Sequence, residues 1–267
     1  MRALLAVLGV LLVAGCSAAP TESTPKTTGE TALKVDVLEE IPHDPAAFTQ
    51  GLELADGVLY EGTGLEGESS IRRVDPATGE VTEQTDLPAD LFGEGITVAG
   101  DSVWQITWQD GVAIRRDKST LAEQERVSYD GEGWGLCHDG DRLIMSDGTD
   151  RLTFRDAGTF AEAGGVDVRD DANEPVTRLN ELECVPDADG RVQVWANIWQ
   201  TDEIVRIDPE SGRVTATVDL QGLLPAAERA GTDVLNGIAH IPDTDEFLVT
   251  GKLWPTMFRV RFVTSGS

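Results

Sequence analysis

Five segments of this 267-residue chain repeat one pattern, and no other feature restricts the fold as much. Each carries an aromatic or polar residue and then a short apolar run: FTQGLEL (48–54), FGEGITV (92–98), GWGLCHD (133–139), LNELECV (179–185) and LNGIAHI (235–241). Aligned on Gly51, Gly95, Gly135, Glu181 and Gly237, they stand 44, 40, 46 and 56 residues apart. A turn and a second apolar strand follow every one: VLYEGTG (58–64), VWQITWQ (103–109), LIMSDGT (143–149), VWANIWQ (194–200) and FLVTGKL (247–253). An amphipathic third strand comes next, and turns such as DPATG and DPESG lead to a fourth. Four strands per ~40–50 residues mark a propeller blade. The sequence therefore predicts an all-β fold, a five-bladed β-propeller of four-stranded blades. The last repeat ends after three strands. The orphan strand LKVDVLEEI (33–41) is expected to supply its fourth, so that the N-terminal strand closes the ring and covers an open edge.

Composition agrees and excludes some partners. Hydrophobic residues are 40% of the chain, enough for a core, and 28 glycines suit a fold full of tight turns. With 48 acidic and 21 basic side chains the net charge is −27, a surface that repels phosphate backbones, so no nucleic-acid partner is expected. The three histidines (His43, His138, His240) are scattered and no His or Cys pair has ligand spacing, so no zinc site is expected.

The N-terminus reads as an address. Arg2 precedes an apolar run over residues 3–14, too short to stay as a spanning helix, and Val13-Ala14-Gly15-Cys16 looks like a bacterial lipoprotein signal. The other reading is an ordinary signal peptide with a chance cysteine. Residues 1–15 are expected to be the signal and Cys16 the lipidated residue. Residues 16–32, rich in Ser, Thr and Pro, read as a flexible tether, and 33–267 as the propeller domain. The expected location is outside the cell membrane or on its periplasmic side, held by the lipid alone. A closed ring needs no partner, so a monomer is expected. Export permits disulfides. Cys137 and Cys184 occupy the same place in two successive repeats, which favours a bridge over two buried free thiols.

In a propeller the first strands line a central channel, so equivalent repeat positions form rings. The position before each aligned start gives Gln50, Glu94, Trp134, Asn180 and Asn236; the end of each second strand gives Thr63, Trp108, Asp147, Trp199 and Lys252. Convergence of an acid, a lysine and several indoles at one mouth suggests a small-ligand site. Trp104, Trp195 and Trp254 fall at positions better suited to packing between strands.

Several stretches, in order from about residue 42 to 255, together resemble the plant and bacterial type of glutaminyl-peptide cyclotransferase: PHDPAAFTQGL, LYEGTG, FGEGIT, QITW, GEGWGLC, SDG, LNELEC, ANIWQTD, DVLNGIAH and TGKLWP. The resemblance implies a five-bladed propeller that converts an N-terminal glutaminyl residue of a peptide or protein to pyroglutamate and releases ammonia. It implies Glu94 as the proton shuttle and Lys252 as its catalytic companion. Phe48, Gln50, Phe92, Trp108, Trp134, Asn180 and Trp199 would bind substrate, and Cys137 and Cys184 would form a family disulfide. The chemistry suits these residues, because one carboxyl group can take a proton from the attacking amine and return it to the leaving nitrogen. No cofactor is required by it. A structural Ca²⁺ among channel carbonyls and carboxylates is allowed for. Two other readings compete: a surface-anchored binding propeller, which leaves the Glu, Lys and Trp convergence unexplained, and a calcium-dependent lactonase or lyase, whose ring of metal ligands Trp134 would interrupt.

Overall fold

The computed structural model describes residues 29–264; the expected signal peptide, Cys16 and most of the expected tether lie outside them. Every regular element among the described residues is a strand. β1 spans Thr31–Pro42. Three four-stranded antiparallel sheets follow in order. The first holds β2 (Thr49–Ala55), β3 (Val58–Thr63), β4 (Ser70–Val74) and β5 (Val81–Asp86). The second holds β6 (Gly93–Ala99), β7 (Ser102–Thr107), β8 (Val112–Asp117) and β9 (Glu123–Ser128). The third holds β10 (Leu136–His138), β11 (Arg142–Ser146), β12 (Arg151–Asp156) and β13 (Glu162–Asp167). The remaining strands are β14 (Leu179–Pro186), β15 (Val192–Ile198), β16 (Glu203–Asp208), β17 (Arg213–Asp219), β18 (Leu235–His240), β19 (Glu246–Gly251) and β20 (Thr256–Thr264). With β1 they form one eight-stranded sheet in the order β14-β15-β16-β17-β1-β20-β19-β18.

β1 makes that sheet continuous. It runs antiparallel to β20 from Leu33 to Pro42 and parallel to β17 over Thr31–Lys34. The parallel pairing with Ala216–Asp219 draws Thr31 and Ala32, expected to precede the domain, into the strand. The first strands lie against one another in a cycle: β2 against β6, β6 against β10, β10 against β14, β14 against β18, and β18 against β2.

In the four-stranded sheets the outermost strand is far more exposed than the inner ones. β3, β7 and β19 are buried almost throughout, because both of their faces meet neighbouring sheets, whereas β5 alternates and β9 is nearly all exposed. Trp104, Trp195 and Trp254 are buried in these interfaces, as their repeat positions suggested. The turns before the outermost strands repeat one device. The carboxylates of Asp75, Asp117, Asp156 and Asp208 each accept a backbone N–H two residues on, closing a turn locally.

Cys137 in β10 is bonded to Cys184 in β14 with the Cα atoms 5.4 Å apart, so the bridge staples two neighbouring inner strands. It closes a loop of sequence separation 47. A loop of that size gives about 4 kcal/mol by the chain-entropy estimate, or roughly 10 °C of melting temperature in a domain this large. Thermal unfolding with and without reductant should differ by that order; coincident transitions would mean that the bridge does not stabilise the protein.

Candidate active site

The residue that each inner strand sends toward the centre is set by a break in its ladder. The register slips between Thr49 and Gly51, Gly93 and Ile96, Leu179 and Leu182, and Leu235 and Ile238. Gln50, Glu94, Asn180 and Asn236 lie within these bulges, which turn their side chains out of the sheet. The third unit differs. Gly133 N donates to the Trp108 carbonyl of the preceding unit, so the chain leaves its own ladder and β10 starts only at Leu136, later than predicted. Trp134 still holds its level through its N–H on Ser146 O at 3.0 Å.

One cavity of about 300 Å³ gathers the result. Phe48, Gln50, Phe92, Glu94, Trp108, Trp134, Asn180, Trp199 and Lys252 all line it, and sequence reasoning had singled out every one. Gln200, Asp233 and Val234 line it as well and were missed, although they sit within the quoted stretches ANIWQTD and DVLNGIAH. Thr63 and Asp147, expected in the second ring, are not part of the lining. Thr63 Oγ1 pairs with Ser70 Oγ, and Asp147 is turned onto Thr149 N and Oγ1. A larger surface groove of about 870 Å³ around Arg142, Arg191 and Glu210 is lined by side chains already paired with one another. The smaller cavity alone combines aromatic walls with convergent polar groups.

Glu94 is 5% exposed. Its Oε1 accepts Gln50 Nε2 at 2.9 Å, and Asn236 Nδ2 donates to Gln50 Oε1 at 3.3 Å and to Thr49 O at 3.0 Å. Asn236 thus fixes which end of the Gln50 amide faces Glu94. Among the described residues Oε2 of Glu94 has no partner, so that oxygen is left for a ligand. Burial pushes the Glu94 carboxyl well above its ordinary range; the charge of Glu132 adds to the rise and Lys252 opposes it. Lys252 is lowered by its own burial, against the opposing pull of Glu94 and Asp233, and its Nζ lies 4.8 Å from the Phe48 ring centroid. Asn180 lines the cavity, and its Oδ1 is buried without a hydrogen-bond partner. It is Glu181, not Glu94, that satisfies strand amides, its two oxygens accepting Leu52 N and Ile238 N.

Glu181 stands where the other repeats have glycine, and Glu183 and Glu53 lie further along the same channel. Glu183 accepts His240 N and Glu53 accepts Val98 N. Burial raises all three carboxyls, Glu53 to about 7. Ca²⁺ takes 6–8 oxygen ligands. Glu181 has both oxygens on backbone amides, Glu183 and Glu53 one each, and no group of three His, Cys, Asp or Glu among the described residues is placed to hold a metal ion.

A ring of inner strands that delivers one buried acid and one buried amine into an aromatic cavity defines an all-β protein with a central small-ligand site. Residues 7–262 match the family model described as glutamine cyclotransferase. The chain is 40% identical over 234 residues to a glutaminyl-peptide cyclotransferase of Arabidopsis thaliana, covering 85% of this chain and 71% of that one. Its fold matches the crystal structure of Myxococcus xanthus glutaminyl cyclase with a TM-score of 0.78 and 32% identity, over 88% of this chain and 99% of that one. The chain belongs to the glutamine cyclotransferase family.

Proposed function

We propose that this protein is a glutaminyl-peptide cyclotransferase, with Glu94 as the proton carrier. The observation that carries the reading is a carboxyl buried in an aromatic cavity, raised above its ordinary range by that burial, with one oxygen held by Gln50 and the other free. The substrate's α-amine attacks its own γ-carboxamide carbon. A C–N bond forms, the amine gives one proton to Glu94, and the carbonyl oxygen becomes an oxyanion. Glu94 returns the proton to the departing nitrogen, the old C–N bond breaks, and ammonia leaves a five-membered lactam. Glu94 ends as it began. Burial, which raises its pKa, makes Glu94 a stronger proton acceptor than an ordinary carboxylate, and the acid form so made can return the proton.

The nucleophile is tethered to its target, so the protein has only to fold the side chain and shield it. Phe48, Phe92, Trp108, Trp134 and Trp199 supply flat apolar walls for the amide and its stem, and keep out water that would hydrolyse it. Gln50 gives one of its two amide N–H bonds to Glu94, and Lys252 is the charged donor that lines the cavity for the oxyanion.

The five-bladed reading of the fold is supported by the cyclic neighbourhood of β2, β6, β10, β14 and β18. On this reading the eight-stranded sheet is two blades joined through β1, with β18, β19, β20 and β1 forming the last. The segment ahead of β1 is proposed as export signal and tether with Cys16 lipidated, a location with which the Cys137–Cys184 bridge is consistent. A monomer is proposed on the same ground of ring closure. Ammonia release from a Gln-initiated dipeptide tests the function, with the N-acetylated dipeptide as control. Release is expected only from the free amine; release from neither, or equally from both, contradicts the reading.

A further inference from the structure

The aromatic wall of the cavity is in two pieces. Phe48 meets Phe92 edge-on with centroids 6.2 Å apart, and Phe92 meets Trp108 at 5.6 Å. Trp134 meets Trp199 at 5.3 Å. No ring contact joins Trp108 to Trp134. What joins them is a side chain outside the cavity lining. Glu132, in the loop between β9 and β10, accepts Trp108 Nε1 at 2.9 Å and Trp134 Nε1 at 3.0 Å on the same oxygen, Oε2. Its Oε1 accepts Gln109 Nε2 at 2.9 Å. The backbone bond from Gly133 N to Trp108 O, also 2.9 Å, holds the loop against the strand end that carries Trp108. Trp108 is 37% exposed, so little packing restrains its ring on the solvent side.

We propose that Glu132 is a positioning residue for the cyclisation: its carboxylate ties the two indole edges together and closes the aromatic wall around the folded glutaminyl side chain. The proposal rests on the cyclotransferase reading. Two donors converging on one oxygen favour an anion, because hydrogen bonds to a carboxylate are shorter and stronger than those to a neutral acceptor. The bonds from Trp134, Gln109 and Trp108 in turn hold Glu132 below the ordinary carboxylate range, so it stays ionised at neutral pH. Its charge and that of Lys252 are the two that act on Glu94, in opposite directions. Removing the Glu132 charge therefore lowers the Glu94 pKa.

The test is steady-state kinetics on a Gln-initiated dipeptide across pH, with melting temperature and indole fluorescence, for Glu132→Ala and Glu132→Gln. The alanine variant loses both indole bonds, and its KM is expected to rise about tenfold, with a smaller fall in kcat. Its emission should shift to the red as Trp108 and Trp134 gain water. The glutamine variant keeps a carbonyl oxygen for the two N–H groups, and its KM should stay within about threefold of wild type. In both variants the acid limb of kcat should move to lower pH, a change that a merely structural role would not produce. Wild-type KM, emission and acid limb in both variants, whatever their melting temperatures, would overturn the proposal and leave the cyclotransferase reading intact. A wild-type protein that releases no ammonia would remove the reading on which the proposal stands.

Discussion

Glu94→Gln should lower kcat on a Gln-initiated peptide by about 10²–10⁴-fold, the usual contribution of a general acid–base group. The glutamine can still accept Gln50 Nε2, so the cavity keeps its shape and KM should change little. What it loses is a proton that can be taken and given back. The pH dependence separates this from a steric effect. The wild-type kcat should fall on the acid side with an apparent pKa above the ordinary carboxylate range, because burial raises Glu94, and that limb should vanish in the variant. Stability should move the other way. A carboxyl whose folded pKa is raised contributes its stability fully below its unfolded pKa and loses it as pH climbs through the folded value. The neutral glutamine escapes that loss, so at mildly alkaline pH the variant should unfold at a higher temperature than wild type. A variant with kcat within about threefold of wild type would remove Glu94 from the mechanism.

Gly135→Ala should be strongly damaging for a change of one methyl group. A Cβ at Gly135 would sit 2.0 Å from Asn180 O and 2.9 Å from the Glu181 Cα. These are backbone atoms, so no side-chain rotation relieves the clash. Moving the strands apart would break Ser146 Oγ to Asn180 O (2.7 Å) and Gly135 N to Ser146 Oγ (2.8 Å), and the Cys137–Cys184 bridge resists it. Overpacking of this kind costs about 3 kcal/mol or more. Trp134 and Asn180 both line the cavity, so activity should fall with stability. Gly57→Ala is the control. Gly57 has φ +77 and nothing within 4 Å of its would-be Cβ, so only the left-handed backbone is strained, at about 1–2 kcal/mol. Urea midpoints for the two variants decide it, and equal midpoints would mean that the inner strands are not in rigid contact at Gly135.

Much of the site was readable before any coordinates because the repeat register maps one-dimensional spacing onto a ring. Gln50, Glu94, Trp134 and Asn180 occupy one repeat position, and Trp108, Trp199 and Lys252 another, so equivalence in sequence became convergence in space. The same logic overreached at Thr63 and Asp147, where a hydroxyl partner or a local turn captures the side chain within its own unit. Groups outside the repeat could not be found this way. Glu132 lies in a connecting loop and matters only because Trp108 and Trp134, 26 positions apart in the chain, both donate to it. His43 and Glu61 form a buried pair at 3.0 Å, with the other histidine nitrogen on Trp254 O. That pair links the first unit to the loop after Lys252, and no periodic pattern announces it. Glu181 and Glu183 read as ordinary strand residues of LNELEC. Their role in satisfying amides of other units follows from the closure of the ring.

The central claim is that the substrate's own amine, and not water, displaces ammonia in this cavity. The most direct measurement runs the reaction on a Gln-initiated peptide in water enriched in heavy oxygen and weighs the product. The account predicts a peptide lighter than the substrate by one ammonia, free of label, with one ammonia released per product. A glutamyl peptide carrying heavy oxygen would show that water attacks the carboxamide, and would contradict it.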